Sequence, residues 1–198
     1  MPAFVVVPHD APHHGVERRL SPGDSDRLAA LRHQPARLAR FLAGRAALLR
    51  AAAELGEEHI MVEARCFECG VSHGRPTAAG AGTPLHLGLA HAGGLAFAVA
   101  ARAPVGIDAE PVDTPPGRMV AIGDIAPGHG DLLRRWTTIE AVLKADGRGL
   151  RVAPSAVHVG VGRATLDGRR YRLRSLRAEG CRVTVATLVQ PESGGSRV

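Results

Sequence analysis

Aromatic residues are scarce in this chain. Its 198 residues include four Phe, one Tyr and one Trp. Proteins that hold single-stranded nucleic acid stack bases on aromatic side chains set among basic ones. No such run is present, so nucleic acid is not an expected partner. Cysteine is also rare, and three thiols, two of them close together, make no disulfide framework. Long apolar runs are missing as well. The run "FVVV" near the N-terminus is shorter than a signal-peptide core, and no stretch approaches the ~20 apolar residues that span a bilayer. These absences lead us to expect a soluble, cytoplasmic protein without membrane contact.

Lysine is the rarest charged residue. Of 25 basic residues, a single one is Lys, at position 144. A general preference for Arg explains the others and leaves Lys144 to be explained. What the chain does have is apolar bulk, at 45% hydrophobic residues. With few aromatics, the core must be built from Ala, Val and Leu. The net charge of +6 favours an anionic ligand or an acidic partner through long-range attraction.

Pattern along the chain points to mixed helix and strand. Residues 4–7 read as a strand. Residues 21–56 read as two helices broken before Pro35. Leu38, Phe41, Leu42, Leu48 and Leu49 give the second an apolar face, and Arg37, Arg40, Arg45 and Arg50 its polar side. "RCFECGVSHGRPTAAGAGTP" reads as a loop. "LAFAVAARAPVGIDAEPV" reads as two strands paired in an antiparallel hairpin about "ARAP". "DTPPG" reads as a linker. "GDLLRRWTTIEAVLKADGRGL" is the clearest helix of the second half. Leu132, Trp136, Ile139 and Leu143 form its buried stripe, Glu140 and Lys144 sit at the edge, and Gly147 and Gly149 end it. Three strands follow, with turns at "LDG" and "AEG", then a disordered tail over 191–198. The expected organisation is an α+β fold of two lobes, 1–102 and 103–190, each a helical part plus an antiparallel sheet, in a pseudo-duplicated arrangement.

Within "VGIDAEP", Asp108 and Glu110 are two apart, so on a strand they share a face. Paired carboxylates at a strand end are either solvated acids or the oxygen ligands of a hard divalent cation. "CFECGVSH" raises a second metal reading. Cys66, Cys69 and His73 would be three ligands of a zinc site, with no evident fourth.

"VGIDAEP" followed by "WTTIEAVLKADGRGL" resembles the signature of the 4′-phosphopantetheinyl transferases, of the single-chain, two-lobed type that activates surfactin synthetase. The matching positions are Gly106, Asp108, Glu110, Trp136, Thr137, Glu140, Ala141, Lys144, Gly147, Gly149 and Leu150. Upstream, "CFECGVSHGRP" and "LGLAHAGG" are similar to two further family elements, in the family's order. The resemblance covers roughly residues 20–155. It implies transfer of the phosphopantetheine group from coenzyme A to a serine of an acyl or peptidyl carrier protein, an acidic helical bundle, with release of 3′,5′-ADP.

The resemblance also assigns roles. Asp108, Glu110 and Glu140 would hold Mg²⁺ or Mn²⁺, and Lys144 would stabilise or protonate the leaving pyrophosphate. Glu140 is a second catalytic candidate, as base toward the carrier serine. Arg75, His91, Arg27, Arg40 and Lys144 would hold coenzyme A, as co-substrate, at its phosphates. The implied enzyme is a monomer. The chain departs from the family in three places. Ala90 stands where a Ser is usual, His129 lies near a usual Glu, and the 32 positions from Asp108 to Glu140 are a short interval. Two alternatives accompany this reading. Lys144 is placed to form an i, i+4 surface pair with Glu140. Independently, Ala90 and the short interval fit a degenerate relative that binds coenzyme A or a carrier without turnover.

Overall fold

A computed structural model describes residues 1–66 and 69–190, without the side chains of Ser72, His73 and Leu150. The tail expected over 191–198 lies outside the described residues.

Among the described residues, ten strands and four α-helices make two halves, an α+β architecture with two antiparallel five-stranded sheets. The first half runs β1 (Ala3–Pro8), α1 (Pro22–Leu31), α2 (Pro35–Ala53), β2 (Met61–Arg65), β3 (Ser72–Ala79), β4 (His86–Ala92) and β5 (Leu95–Ala101). Its sheet has the order β1-β5-β4-β3-β2. The second half runs β6 (Val105–Pro111), α3 (Pro116–Ile125), α4 (Leu132–Asp146), β7 (His158–Gly160), β8 (Arg163–Leu166), β9 (Arg169–Ala178) and β10 (Cys181–Leu188). Its sheet has the order β6-β10-β9-β8-β7. Among the described residues, no helix is long and apolar enough to cross a membrane.

The layers follow from the two-residue alternation of the strands. On β5, Ala96, Ala98 and Ala100 pack against Ala43, Ala47, Leu48 and Ala51 of α2. The intervening Phe97 and Val99 point the other way, toward Val105 and Ile107 of β6 and Val183 and Val185 of β10. On the far side of the second sheet, Val142 and Leu143 of α4 meet Leu166, Tyr171 and Ala186. The order is therefore α2, first sheet, second sheet, α4. Alanines dominate both helix contacts, as the lack of aromatics requires.

Two local devices position the chemistry. A Cβ at Gly106 would lie 2.2 Å from the Ala141 carbonyl oxygen and 2.4 Å from the Ala145 nitrogen. Glycine is the residue that lets α4 settle directly on β6. The helix starts at Asp131, whose side chain accepts from the Arg134 N–H at 3.0 Å, and stops at Gly147, with φ +90°. The β8–β9 and β9–β10 turns carry positive φ at Asp167–Gly168 and Glu179–Gly180, as two-residue hairpin loops demand.

Four expectations need correction. The strands flanking "ARAP" are not a hairpin. β5 pairs with β1 and β4, and β6 pairs with β10 in the other sheet, so the two stack instead. The Gly- and Pro-rich "loop" contains β3, closed on β2 by Cys66 N–H to Val71 O at 2.8 Å. Arg45 is not on a polar face. It is 5% exposed and pairs through two contacts with Asp24, which is wholly buried. On α4, Leu132 and Trp136 are only half-buried, and Leu133, Thr137 and Thr138 take the buried face with Ile139 and Leu143.

Candidate active site

The acids of β6 lie against α4, where Lys144 and Trp136 contact them. Asp108 and Glu110 are 7% and 6% exposed, and both face the helix. Lys144 Nζ donates to Asp108 Oδ1 at 2.6 Å. The i, i+4 pairing of Lys144 with Glu140 is not what forms. Glu140 is half-buried and makes no hydrogen bond or ion pair among the described residues. Its charge nonetheless reaches Asp108. The other carboxylate oxygen, Asp108 Oδ2, is buried and has no hydrogen-bond partner among the described residues. Burial pushes the Asp108 carboxyl up to about 6 from its ordinary 3.8. The Lys144 ammonium opposes this, and Glu140 and Glu110 add to it.

Glu110 has two partners that the sequence did not announce. Arg118, on α3, pairs with it through Nε at 3.2 Å and through Nη2. The single Trp donates its indole N–H to Glu110 Oε1 at 3.3 Å. The motif tryptophan, packed by its ring against the core beneath α4, thus also holds an acid in place. Arg118 follows directly on the stretch read as a linker, eight positions after the acid, and no pattern in sequence joins them.

Three carboxylates around an unpartnered buried oxygen suit a hard divalent cation. Mg²⁺ takes one or two protein carboxylates and fills its other positions with water and substrate phosphate. Asp108 Oδ2 and Glu140 are open to such an ion, and Glu110 offers whatever lone pairs Arg118 and Trp136 leave. As placed, no three His, Cys, Asp or Glu side chains converge on one point among the described residues. These side chains, as placed, form no closed protein cage for an ion. The zinc reading fares differently. Cys66 and Cys69 flank the β2–β3 turn, and the His73 side chain lies outside the described residues.

The arginines gather elsewhere. A cavity of about 510 Å³ opens beside α2, lined by Arg27, Arg37, Arg40, Arg45, Phe41 and His91 among others. The guanidiniums of Arg27 and Arg45 lie 5.4 and 5.0 Å from the Phe41 ring centre. His91 is held neutral. Burial lowers it to about 3, helped by Arg40, His9, Lys144 and Arg45. Arg27, Arg40 and His91, expected to share a phosphate, are thus brought together. Arg75 is not among them. It is exposed, and its guanidinium reaches the second half, 3.4 Å from the Val105 carbonyl oxygen and beside Gly147 at the end of α4. Its neighbours Gly74 and Pro76 line the cavity in its place.

Lys144 belongs to both groups of residues. It binds Asp108 and adds its charge to the field on His91. No family model matches the chain, and no curated protein matches it.

Proposed function

We propose that this protein is a 4′-phosphopantetheinyl transferase, a two-lobed enzyme of the surfactin-synthetase-activating type. It moves phosphopantetheine from coenzyme A to a serine of an acyl or peptidyl carrier protein. The observation that carries the reading is the buried Asp108. One of its oxygens is held by the chain's only lysine, and the other has no hydrogen-bond partner among the described residues, within reach of the charges of Glu110 and Glu140. An unpaired buried anionic oxygen is costly unless a cation completes it. The cavity of arginines on the adjoining half supports a polyanionic co-substrate.

The reading gives each residue a role. Arg27, Arg40 and His91 bind the nucleotide phosphate, and Arg75 and Lys144 reach the pyrophosphate from the α4 side. Asp108, Glu110 and Glu140 hold Mg²⁺, which when bound neutralises charge on the pyrophosphate oxygens. The carrier serine oxygen attacks the phosphorus that bears pantetheine. Its proton passes to Glu140, and the bond to 3′,5′-ADP breaks. Lys144 stabilises the charge left on the departing phosphate. An acidic carrier is attracted to a chain of net charge +6.

A second reading is a relative that binds coenzyme A without turnover. Ala90, buried and lacking a hydroxyl beside His91, favours it. One experiment separates the two. The protein is mixed with coenzyme A, Mg²⁺ and an apo carrier, acyl or peptidyl, and the carrier is weighed intact. A gain of one phosphopantetheine is expected. Coenzyme A binding with no mass gain on either carrier selects the second reading.

A further inference from the structure

Glu110 is buried, yet the cation that satisfies it reaches in from the surface. The Arg118 side chain is 57% exposed, and its guanidinium takes both oxygens of the acid, Nε on Oε2 at 3.2 Å and Nη2 on Oε1. The Trp136 indole N–H is a second donor to Oε1, at 3.3 Å. A carboxylate oxygen accepts about two hydrogen bonds. Oε1 is therefore filled, and Oε2 keeps one lone pair. Asp108, two residues earlier on the same face, is held at one oxygen by Lys144, and its Oδ2 has no hydrogen-bond partner among the described residues. Lys144 leaves half of its acid open, whereas Arg118 nearly closes its own.

A divalent cation that takes Glu110 meets a guanidinium already on the same oxygens. Two cations on one carboxylate repel, and at a buried acid salt and water screen that repulsion little. The arginine is the partner free to leave, because its exposed chain can turn its charge into water. Without any cation the buried acid would be costly, so Arg118 also keeps the metal-free fold intact.

What moves with Arg118 is the first turn of α3. Pro115 precedes that turn and offers no side-chain cap. The other end of the helix is packed down. Ile122 is its buried residue, Ala126 just beyond is buried too, and the Ala126 carbonyl accepts from Arg135 Nε of α4 at 2.8 Å. Between them Val120 is 66% exposed. Arg118 therefore ties the loosely packed end of α3 to the acid of β6.

We infer that Arg118 stands on Glu110 in place of a divalent cation and gives the acid up when one binds, so that the first turn of α3 is latched only in the metal-free protein. The inference rests on the metal reading of Asp108, Glu110 and Glu140 above, and adds to it a competitor and a moving part. The coupling is reciprocal. By whatever factor the ion loosens the latch, the latch weakens the ion.

The first test is binding of Mn²⁺ to the full chain, followed by electron paramagnetic resonance of the free ion. Arg118→Met should bind Mn²⁺ about tenfold tighter than wild type, a usual size for coupling between two sites. Arg118→Lys keeps a charge but covers one oxygen, and should fall between. Arg182→Met controls for charge alone. Arg182 lies opposite Glu110 on β10 with its guanidinium on Asp131, and its loss should matter much less. Mg²⁺ should also shift the emission of the single Trp, and Glu110→Gln should abolish that shift. The second test is hydrogen exchange. Saturating Mn²⁺ should lower the protection of backbone amides 119–122 in wild type and leave them unchanged in Arg118→Met, which is already unlatched. A merely structural Arg118 predicts equal or weaker Mn²⁺ binding by the Met variant, and that result overturns the inference. So does equal tightening by Arg182→Met, or protection of α3 that holds or rises when wild type binds Mn²⁺. Any of these leaves the metal reading standing. No Mn²⁺ bound by wild type or by Arg118→Met overturns the metal reading and the latch with it.

Discussion

An Asp108→Asn substitution should make the metal-free protein more stable at neutral pH. In the folded state this carboxyl holds its proton up to about 6, whereas its ordinary value is 3.8. Between those pH values the folded chain binds more protons than the unfolded chain. The group's contribution to stability therefore falls as pH rises through that window and is least favourable above it. A difference of about 2 units corresponds to about 3 kcal/mol. Asparagine keeps the shape and carries no charge at any pH. It gives up the Lys144 contact, but that side chain is 35% exposed, so water replaces much of what is lost.

Urea denaturation in the presence of a chelator is the assay. At pH 7 the Asn variant should gain up to about 3 kcal/mol, or roughly 6–12 °C in Tm for a chain of this size. At pH 4 the gain should have largely gone, because the wild-type acid is then protonated when folded. Adding Mg²⁺ should stabilise the wild type and leave the variant unmoved, since an ion that binds only the folded state adds to its stability. A variant less stable than wild type at pH 7 would refute the reasoning. So would a gain of equal size at both pH values.

Three further outcomes are expected. Gly106→Ala should cost about 3 kcal/mol by equilibrium unfolding, because its Cβ meets backbone of α4 that cannot give way. Gly117→Ala, with nothing near, should stay within about 1 kcal/mol of wild type; equal effects at both sites would contradict the packing argument. Asp24→Asn strands the buried Arg45 charge and should lose about 3–5 kcal/mol, whereas the double change Asp24→Leu with Arg45→Met should come back near wild type in the same denaturation series. Lys144→Met should lower kcat for carrier loading by about 10²–10⁴ with little change in coenzyme A affinity, and Lys144→Arg should rescue poorly because Arg keeps its proton; near-normal turnover by the Met variant removes Lys144 from the chemistry.

Local rules made part of this fold legible. The two hairpin turns were readable because positive φ selects Gly and its polar neighbours, and α4 was readable as a helix that Gly147 ends, though not in which residues it buries. Pairing was not. Alternation marks Phe97, Val99 and Ile107 as buried, but it cannot say whether the strand opposite is a hydrogen-bonded neighbour or a stacked sheet. β5 and β6, adjacent in sequence, proved to be the second case. The same limit applies at the site. Asp108, Glu110, Glu140 and Lys144 sit at regular spacing on one strand and one helix, and their meeting needed only those two elements to touch. Arg118 comes back to Glu110 from the start of the next helix, whereas Asp24 on Arg45 and His9 on His91 are meetings of more distant segments, the last spanning 82 positions. Arg45 misled because a guanidinium reads as surface until its carboxylate is found.

The lone lysine and Gly106 belong to one argument. Without a Cβ on Gly106, the backbone of α4 lies against β6 at the level of Ala141 and Ala145. Lys144 precedes Ala145, so its own backbone is held close beside the strand that carries Asp108. From there the acid is near, and a compact ammonium closes on one oxygen at 2.6 Å. A guanidinium presents a broad planar fork that engages both oxygens of a carboxylate, as Arg45 does with Asp24 and Arg118 with Glu110. At Asp108 such a fork would cover Oδ2, the oxygen that is buried and has no hydrogen-bond partner among the described residues. A point-like cation satisfies one oxygen and leaves the other for something else. In a chain that uses Arg at its other 24 basic positions, that is a physical reason for Lys at this one.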